Sequence, residues 1–337
     1  MFNIGVGPLG LQAATTLDIL MMARLAEKAE FQGIWVGGTT GRTPIPILSA
    51  ASQVTKNLKL VTSILNMNTV TPIDAAMQAA TIDELSDGRF ILGLGLSTPP
   101  LVKLHGLKFE KPLARTREYV EIVTGLLEGK KITCHGKCYK IYDVRIRIRS
   151  MQKKLPVYLA ALNPKMITLA GKIADGILLN IMPVAYVKKA VEIFRESAKN
   201  AGRNPDKLIV ASYIFFHASE RSDESLRVAR LDAKKTIAYY ASARFYDRMF
   251  RACGFADEVY RIQAKSKAEN SVSILQEVSD KMVNELMAVG DIEQVRKRLE
   301  DYASAGLTLP ILLPYPAGRS VPDAIRTFFE TLPKVIG

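Results

Sequence analysis

The chain alternates short apolar runs with amphipathic stretches of helical period, a pattern typical of a parallel sheet whose strands are joined by crossover helices. Eight apolar runs have the length of strands, and a helical stretch follows each of them. The predicted strands are residues 2–6, 34–36, 58–63, 90–94, 156–160, 176–180, 208–216 and 309–313. Eight strands that each lead into a helix predict an α/β fold of the (β/α)8 TIM-barrel class.

The stretches between these runs carry start and stop signals for helices. Thr15 and Asp18 have the spacing of a capping box, and the helix that they start is expected to reach Gly33. The other predicted helices are residues 46–54, 72–86, 114–127, 164–173, 184–201, 291–303 and 321–332.

Two stretches break this rhythm. Residues 130–149 predict an inserted hairpin, and residues 222–290 are helical, polar and too long for an ordinary connection. We expect the second stretch to be a helical excursion over one end of the barrel, before the last strand. Because the chain shows no internal repeat and no low-complexity linker, a single domain over residues 1–337 is predicted.

Composition narrows the class of protein. The chain is 48% hydrophobic and 23% charged, as is ordinary for a globular domain, and no apolar run reaches the roughly 18 residues that span a bilayer. The first residues, MFNIGVGPLGLQ, lack the basic segment of a signal peptide. These features predict a cytoplasmic protein without a membrane partner.

The net charge of +13 favours anionic partners. The basic residues are spread along the chain and form no nucleic-acid motif, so no nucleic-acid partner is expected. A phosphorylated or polycarboxylate cofactor would suit this charge, and a solubilising surface without a specific partner explains it equally well.

Two cysteines, Cys134 and Cys138, flank Gly136 in the predicted hairpin. A turn at Gly136 would bring them across from one another as free thiols, with a disulfide as the alternative. Because nothing nearby completes a set of four ligands, no metal site is predicted.

Function in such a barrel gathers on the loops that follow the strands. The third strand runs into Ser63, Ile64, Leu65 and Asn66, with Asn68 just beyond. At the end of the fourth strand, Gly95 would let the backbone approach a bound ring, although a glycine there also fits a narrow barrel interior.

The loop after the fifth strand predicts an anion site. Ala160, Ala161 and Leu162 lead into a helix with Pro164 in its first turn, where free backbone N–H groups and the helix dipole suit a phosphate. An ordinary capped helix start explains these residues equally well. The spacing along the chain suggests that Asp175 and Gly176 lie beside this site.

The chain resembles the bacterial-luciferase-like superfamily in four segments. The most specific are TIDELSDGRFILGLG and the pair AALNPKM and AGKIADG, with GIWVG and AGLTLPILLPY as further matches. The chain is most similar to the branch that uses the deazaflavin coenzyme F420, typified by methylenetetrahydromethanopterin reductase. This resemblance runs over nearly the whole chain and implies a barrel that holds a flavin-type cofactor.

The resemblance also implies particular site residues. A non-proline cis peptide, which in that branch lies against the deazaflavin ring, maps to Ser63–Ile64, and the backbone after the fifth strand would hold the cofactor phosphate. The implied cofactor-binding residues are Thr39, Ser63, Ile64, Leu65, Asn66, Gly95, Ala160, Ala161, Leu162, Gly176, Ile177 and Leu178. The implied substrate-binding residues are Gly7, Asn68 and Thr98.

The chain departs from the family where acids are common. Gly7 and Thr98 stand at positions that often carry acids, and Gly38–Thr39 stands where many members have Asp-His. No general acid is therefore implied. His105, on the loop after the fourth strand, is the one histidine considered as an acid or base, and a solvated loop histidine is the alternative.

The leading functional prediction is an F420-dependent oxidoreductase that moves a hydride between C5 of the deazaflavin and a small organic substrate, for which a methylenetetrahydromethanopterin-like compound is a candidate. One alternative is an FMN-dependent monooxygenase of the same fold, and another is a non-catalytic flavin-binding barrel. A homodimer or a higher homo-oligomer is expected, because dimers are common in this superfamily.

Overall fold

The computed structural model describes residues 3–38, 40–220, 223–267 and 271–337. Twelve strands lie within these ranges. They are β1 (Gly5–Val6), β2 (Gly33–Val36), β3 (Lys59–Thr62), β4 (Leu65–Asn66), β5 (Phe90–Gly95), β6 (Ile132–His135), β7 (Lys140–Val144), β8 (Val157–Ala160), β9 (Gly176–Asn180), β10 (Ile209–Ser219), β11 (Ala288–Asp291) and β12 (Leu309–Pro314).

Fourteen α-helices lie in the same ranges. They are α1 (Thr16–Lys28), α2 (Pro44–Val54), α3 (Pro72–Leu85), α4 (Pro99–Leu104), α5 (Pro112–Leu127), α6 (Pro164–Ile173), α7 (Val184–Asn200), α8 (Glu224–Ser242), α9 (Arg244–Ala252), α10 (Ala256–Lys267), α11 (Ser271–Gln276), α12 (Asp280–Leu286), α13 (Ile292–Ser304) and α14 (Val321–Ile336). None of the helices in the described part of the chain is long and apolar enough to cross a membrane.

Eight strands are each followed by a helix, as the sequence predicts: β1, β2, β3, β5, β8, β9, β10 and β12. Their pairings are parallel wherever the register is defined. The predicted (β/α)8 TIM-barrel class is therefore confirmed. The signals that fix it are local, because a proline or a capping residue starts most of the helices. At the first helix, for example, Thr15 and Asp18 form the predicted capping box.

The chain divides into two compact units. The first unit contains the described residues of Met1–Ala14, Leu179–Glu192 and Val210–Gly337. Its strands are paired in the order β11–β10–β12–β1. The core of this unit includes Phe215, which stacks on Tyr315 with ring centroids 5.3 Å apart.

The second unit contains Thr15–Leu178 and Ile193–Ile209. Its strands are paired in the order β2–β3–β5–β8–β9, and β4 adds to the carboxyl end of β5. Because all of these strands are parallel, their carboxyl ends meet at one edge. Trp35 and Phe90 are buried in the core of this unit. Most of the predicted cofactor residues belong to it.

The helical excursion differs from its prediction at its end. Residues 288–291 form the strand β11 rather than helix, and they pair in parallel with residues 216–219 of β10. The strand β10 is longer than predicted, ending at Ser219, and its last residues leave an edge whose backbone groups need partners. Ala288 and Val289 are buried there, which suits a strand.

Two short elements are missing from the sequence prediction, and one helix is shorter than predicted. The strand β4 and the helix α4 lie in segments that we expected to be loops. The helix α1 ends at Lys28, not at Gly33, because Glu30 adopts a left-handed conformation with φ 57°.

The predicted hairpin is confirmed as the antiparallel pair β6 and β7. The predicted arrangement of its cysteines is wrong: Cys134 lies opposite Ile141, whereas Cys138 lies in the turn. The turn contains four residues, 136–139, so a residue at its centre does not face a strand position. Both cysteines are free thiols.

Candidate functional site

The peptide bond between Ser63 and Ile64 is cis, at the position that the family resemblance implies. It follows β3 directly, where the Ser63 N–H donates to the Val36 carbonyl oxygen at 2.8 Å. Ser63 is buried and Ile64 is half-buried. The chain after β2 passes close to this bond, because a Cβ on Gly37 would lie 2.3 Å from the Ser63 carbonyl oxygen.

Three residues, Ile64, Gly95 and Ala160, lie side by side at the carboxyl ends of β3, β5 and β8. A Cβ on Gly95 would lie 2.7 Å from Ile64 Cδ1 and 3.0 Å from Ala160 Cβ. The absent side chain at position 95 therefore lets Ile64 and Ala160 approach each other across the end of β5. Such a surface of small and aliphatic groups suits one face of a planar ring.

Hydrogen bonds of Asn66 and Asn68 hold the loop that follows Ile64. Asn68 donates its backbone N–H to Asn66 Oδ1 at 3.0 Å, and its side-chain Nδ2 donates to the Leu96 carbonyl oxygen at 2.7 Å. The predicted roles of these asparagines in ligand binding are therefore combined with a structural one. Each of the two side-chain amides has one polar atom without a hydrogen-bond partner within 3.4 Å among the described residues. These atoms are Asn66 Nδ2 and Asn68 Oδ1.

The next loop places Thr98 and His105 at opposite ends of α4. Thr98 is the N-cap residue of this helix, it is half-buried, and its carbonyl oxygen accepts the Val102 N–H at 2.9 Å. His105 is the C-cap residue and is exposed. The position of His105 matches the alternative of a solvated loop histidine.

The start of α6 keeps only part of the predicted anion site. The Ala161 N–H donates to the Leu178 carbonyl oxygen at 3.2 Å, so it is used within the sheet. The Asn163 carbonyl oxygen accepts the first hydrogen bonds of the helix. The backbone N–H groups of Asn163 and Lys165 have no partner among the described residues, and they remain available to an anion.

The expected proximity of Asp175 and Gly176 to this anion site is wrong. Gly176 starts β9 opposite Tyr158, near the amino end of β8, whereas Leu178 lies opposite Ala160. Asp175 exchanges two hydrogen bonds with the Val157 backbone at 2.8 and 3.1 Å. With a rise of about 3.3 Å per residue, Gly176 lies roughly 7 Å below Leu178 along the strand.

Of the three predicted residues on β9, the register thus brings only Leu178 to the level of the anion site. Ile177, which stands between Gly176 and Leu178, is fully buried. The predicted strand at residues 176–180 already indicates this, because Gly176 is its first residue and the anion site lies at the carboxyl ends of the strands.

Two further predicted residues do not belong to the described part of the second unit. Gly7 belongs to the first unit, where its N–H donates to the Leu312 carbonyl oxygen at 3.1 Å after β1. Thr39 lies outside the described residues. In the part of the chain that the structure describes, no group of three or more His, Cys, Asp and Glu side chains could hold a metal ion.

A histidine that the sequence analysis did not single out is buried in the first unit. His217 lies near the end of β10 and is 7% exposed, with its Nε2 3.4 Å from Ser225 Oγ. Burial, reinforced by the positive charge of Arg319, lowers the pKa of His217 to about 4. The mostly apolar run that precedes it, SYIFF, was the available signal, because a polar residue that continues a buried strand tends to be buried itself.

One family model and several relatives match most of the chain. The family model described as luciferase-like monooxygenase matches residues 3–309. The 5,10-methylenetetrahydromethanopterin reductase of Methanolobus tindarius is 27% identical over 313 residues, which cover 92% of this chain and 94% of that protein.

Solved structures are also similar. The coenzyme F420-dependent tetrahydromethanopterin reductase from Methanopyrus kandleri has a TM-score of 0.84 and 25% identity, and the match covers 98% of this chain and 97% of that one. An F420-dependent secondary alcohol dehydrogenase, solved with an F420–acetone adduct, has a TM-score of 0.78 over the full length of both chains. Its identity of 21% shows a shared fold alone.

Proposed function

The chain belongs to the luciferase-like monooxygenase family, and on this premise we propose that it is a coenzyme F420-dependent oxidoreductase. In this proposal it transfers a hydride between C5 of the deazaflavin and a small organic substrate. The relatives reported above are enzymes, and the two reductases among them support this choice within the family.

The observation that carries the proposal is the surface of small and aliphatic groups that Ile64, Gly95 and Ala160 form. A Cβ at position 95 would lie 2.7 Å from Ile64 Cδ1 and 3.0 Å from Ala160 Cβ, so the glycine lets these two side chains keep their positions in this surface. The surface lies at the carboxyl ends of parallel strands, where barrel enzymes bind their ligands. The residues present therefore fit a flavin-type cofactor.

The phosphate of such a cofactor would lie at the start of α6. The N–H groups of Asn163 and Lys165 point out of the first turn, and the helix dipole adds positive potential there. No acidic side chain occupies residues 160–165, so no negative charge in this segment would repel an anion.

When bound, coenzyme F420 supplies the hydride chemistry at its C5 atom. The chain then has to bind and orient the substrate, since hydride transfer depends on the distance and alignment of the reacting atoms. Asn66 Nδ2 and Asn68 Oδ1 are the groups we assign to this task, together with the half-buried Thr98. A methylenetetrahydromethanopterin-like compound is the first substrate to test. No general acid is assigned.

A titration with two cofactors tests the proposal. The purified full-length chain is titrated separately with F420 and with FMN, and binding is followed by the fluorescence of Trp35, the only tryptophan. We expect F420 to bind at micromolar concentrations or below, and FMN to bind much more weakly. Tight FMN binding without F420 binding would reject the proposed cofactor.

A turnover assay completes the test. The loaded protein is mixed with reduced F420 and methylenetetrahydromethanopterin, and oxidation of the cofactor is followed by its absorbance. Cofactor binding without turnover of any substrate would favour a non-catalytic barrel. The description of the family model favours a second candidate, an FMN-dependent monooxygenase, which predicts oxygen consumption with reduced FMN instead. The homodimer, the cytoplasmic location and the absence of membrane and nucleic-acid partners stay predictions from the sequence.

A further inference from the structure

The hairpin β6–β7 is fastened to α5 by one carboxylate. Glu118 accepts the backbone N–H groups of Lys137 at 2.8 Å, Cys138 at 2.8 Å and Tyr139 at 3.1 Å. The turn sits so close that a Cβ on Gly136 would lie 2.3 Å from Glu118 Oε2. Burial alone would raise the pKa of Glu118, but the three N–H donors hold it below its ordinary value. The carboxylate is therefore charged at neutral pH, and its hydrogen bonds to the turn are charge-assisted.

This fastening directs the ring of Tyr139 inward against α5. The Arg115 guanidinium lies 5.6 Å from the centre of that ring and donates to its hydroxyl at 3.3 Å. The ring also meets Tyr119 edge-on, with centroids 5.9 Å apart. Tyr139 is therefore half-buried between the hairpin and the helix, unlike Tyr142 on the same hairpin, which is 64% exposed.

The Tyr139 hydroxyl continues the chain of contacts to the candidate site. It donates to the Met67 carbonyl oxygen at 3.4 Å, and the Met67 N–H donates to the Gly95 carbonyl oxygen at 2.9 Å. The backbone at Met67 is thus held from two sides, by β5 and by the hairpin. Tyr119, which is fully buried, adds a contact farther along, because its hydroxyl lies 3.1 Å from the Val70 carbonyl oxygen.

The loop that receives these contacts comes directly after Ile64 and carries Asn66 and Asn68. A site holds its geometry only when neighbouring residues fix the groups that touch the ligand. We infer that the hairpin supports the candidate active site, and that Tyr139 is a positioning residue that acts through the backbone of the loop formed by residues 65–70. The inference rests on the proposed function, because that function assigns this loop to cofactor and substrate.

The test uses two variants that disturb the contact from opposite ends. Tyr139→Ala removes the ring, and Glu118→Gln removes the charge that fastens the turn. Tyr142→Ala is the matched control, a tyrosine of the same hairpin that faces solvent. The dissociation constants of F420 and FMN are measured with the full-length chain, at a temperature where circular dichroism shows every variant to be folded.

We expect each of the two variants to weaken binding of the cofactor by about five- to twentyfold, since displaced groups lose most of their affinity. The double variant should lose no more than the weaker-binding single variant, because both residues act through one contact. Tyr142→Ala should bind within about twofold of the parent. Tyr139→Phe keeps the ring but lacks the hydroxyl that donates to the Met67 carbonyl oxygen, so it should lose most of the affinity that Tyr139→Ala loses.

Unchanged affinity in Tyr139→Ala and Glu118→Gln would overturn the inference, even if the melting temperature fell, because a purely structural role lowers stability without changing binding to the folded protein. A parent chain that binds FMN and not F420 would reject the proposed cofactor, and the same variants, titrated with FMN, would still decide the role of Tyr139. A parent chain that binds neither cofactor would overturn both proposals.

Discussion

Thr62 and Gly93 hold each other by two hydrogen bonds across neighbouring strands. The Thr62 hydroxyl donates to the Gly93 carbonyl oxygen at 2.9 Å and accepts the Gly93 N–H at 2.8 Å. The strands approach so closely that a Cβ on Gly93 would lie 1.8 Å from the Thr62 carbonyl oxygen. The Thr62 hydroxyl thus takes the place of a backbone group in the hydrogen bonding between β3 and β5, immediately before the cis peptide bond. No residue larger than glycine fits at position 93.

The first prediction follows from this contact. Gly93→Ala should lower the free energy of unfolding by about 3 kcal/mol or more, because the clash involves backbone that cannot move aside. Urea denaturation followed by Trp35 fluorescence measures the change. Gly41→Ala is the control, since Gly41 is exposed and nothing lies within 4 Å of the added Cβ. A Gly93→Ala protein as stable as the control would contradict the account of this contact.

The second prediction concerns Gly95 and separates binding from stability. An added Cβ would meet the end of the flexible Ile64 side chain, which can rotate away, and would lie 3.0 Å from the fixed Ala160 Cβ, so Gly95→Ala should cost about 1–2 kcal/mol of stability. The rotated Ile64 side chain would cover the surface of Ile64, Gly95 and Ala160, where we propose that the deazaflavin ring binds. The affinity for F420 should therefore fall about tenfold or more. Fluorescence titration with F420 measures the dissociation constant.

A glycine of the first unit provides the control for Gly95→Ala. A Cβ on Gly290 would lie 2.4 Å from the end of the flexible Gln294 side chain, so the kind of contact is similar. Gly290→Ala should lose stability and keep its affinity for F420. Equal losses of affinity in the two variants would show that Gly95 has no special role.

The third prediction concerns Arg89, a buried cation that is 8% exposed. Its guanidinium makes five hydrogen bonds of 2.6–3.1 Å to the segments on either side of it. Arg89→Met leaves these acceptors buried without donors. The free energy of unfolding should therefore fall by about 3 kcal/mol or more. The acceptors are Ser52 O, Thr55 O, Thr55 Oγ1, Leu58 O and Ser86 O.

Arg117→Met is the control for Arg89→Met. Arg117 is exposed on α5, and its replacement should change stability by less than about 0.5 kcal/mol. Thermal and urea denaturation of both variants give the comparison. If Arg89→Met were no more harmful than Arg117→Met, the hydrogen-bond cluster would not stabilise the unit.

The fourth prediction is a pH dependence that His217 produces. Its pKa of about 4 in the folded chain lies below the ordinary value of 6.5, because burial and Arg319 disfavour the charged form more than Asp223 and Asp232 favour it. The unfolded chain therefore binds more protons between these two values. Stability should fall as the pH is lowered through this window, by about 2 kcal/mol between pH 7 and pH 5.

Urea denaturation at a series of pH values measures this slope, and His217→Gln provides the comparison. The variant cannot titrate at this position, so its stability should depend less on pH between 7 and 5. Parallel curves for the two proteins would show that another group produces the dependence.

Local signals allowed several elements to be predicted residue by residue. The helix at residues 164–173 and the strand at residues 176–180 have the predicted bounds, because a proline starts the helix and a compact apolar run forms the strand. The capping box of Thr15 and Asp18 is equally local, since its two residues are three positions apart. Short-range hydrogen bonds and backbone preferences decide such features, and these can be seen in the sequence.

Features that join distant residues could not be predicted in this way. The pairing of Leu178 with Ala160, which brings Leu178 to the level of the anion site, depends on strand register. The burial of His217 was missed because β11 and α8 cover it only in the folded chain.

By itself, the sequence determined the barrel class, the strand ends that carry the candidate site, and the family of the chain. The tertiary structure alone decided that Thr62 excludes any side chain at position 93 and that Tyr139 supports Met67. These residues lie 31 and 72 positions apart along the chain. Contacts over such separations depend on how whole elements pack, which no local pattern of residues specifies.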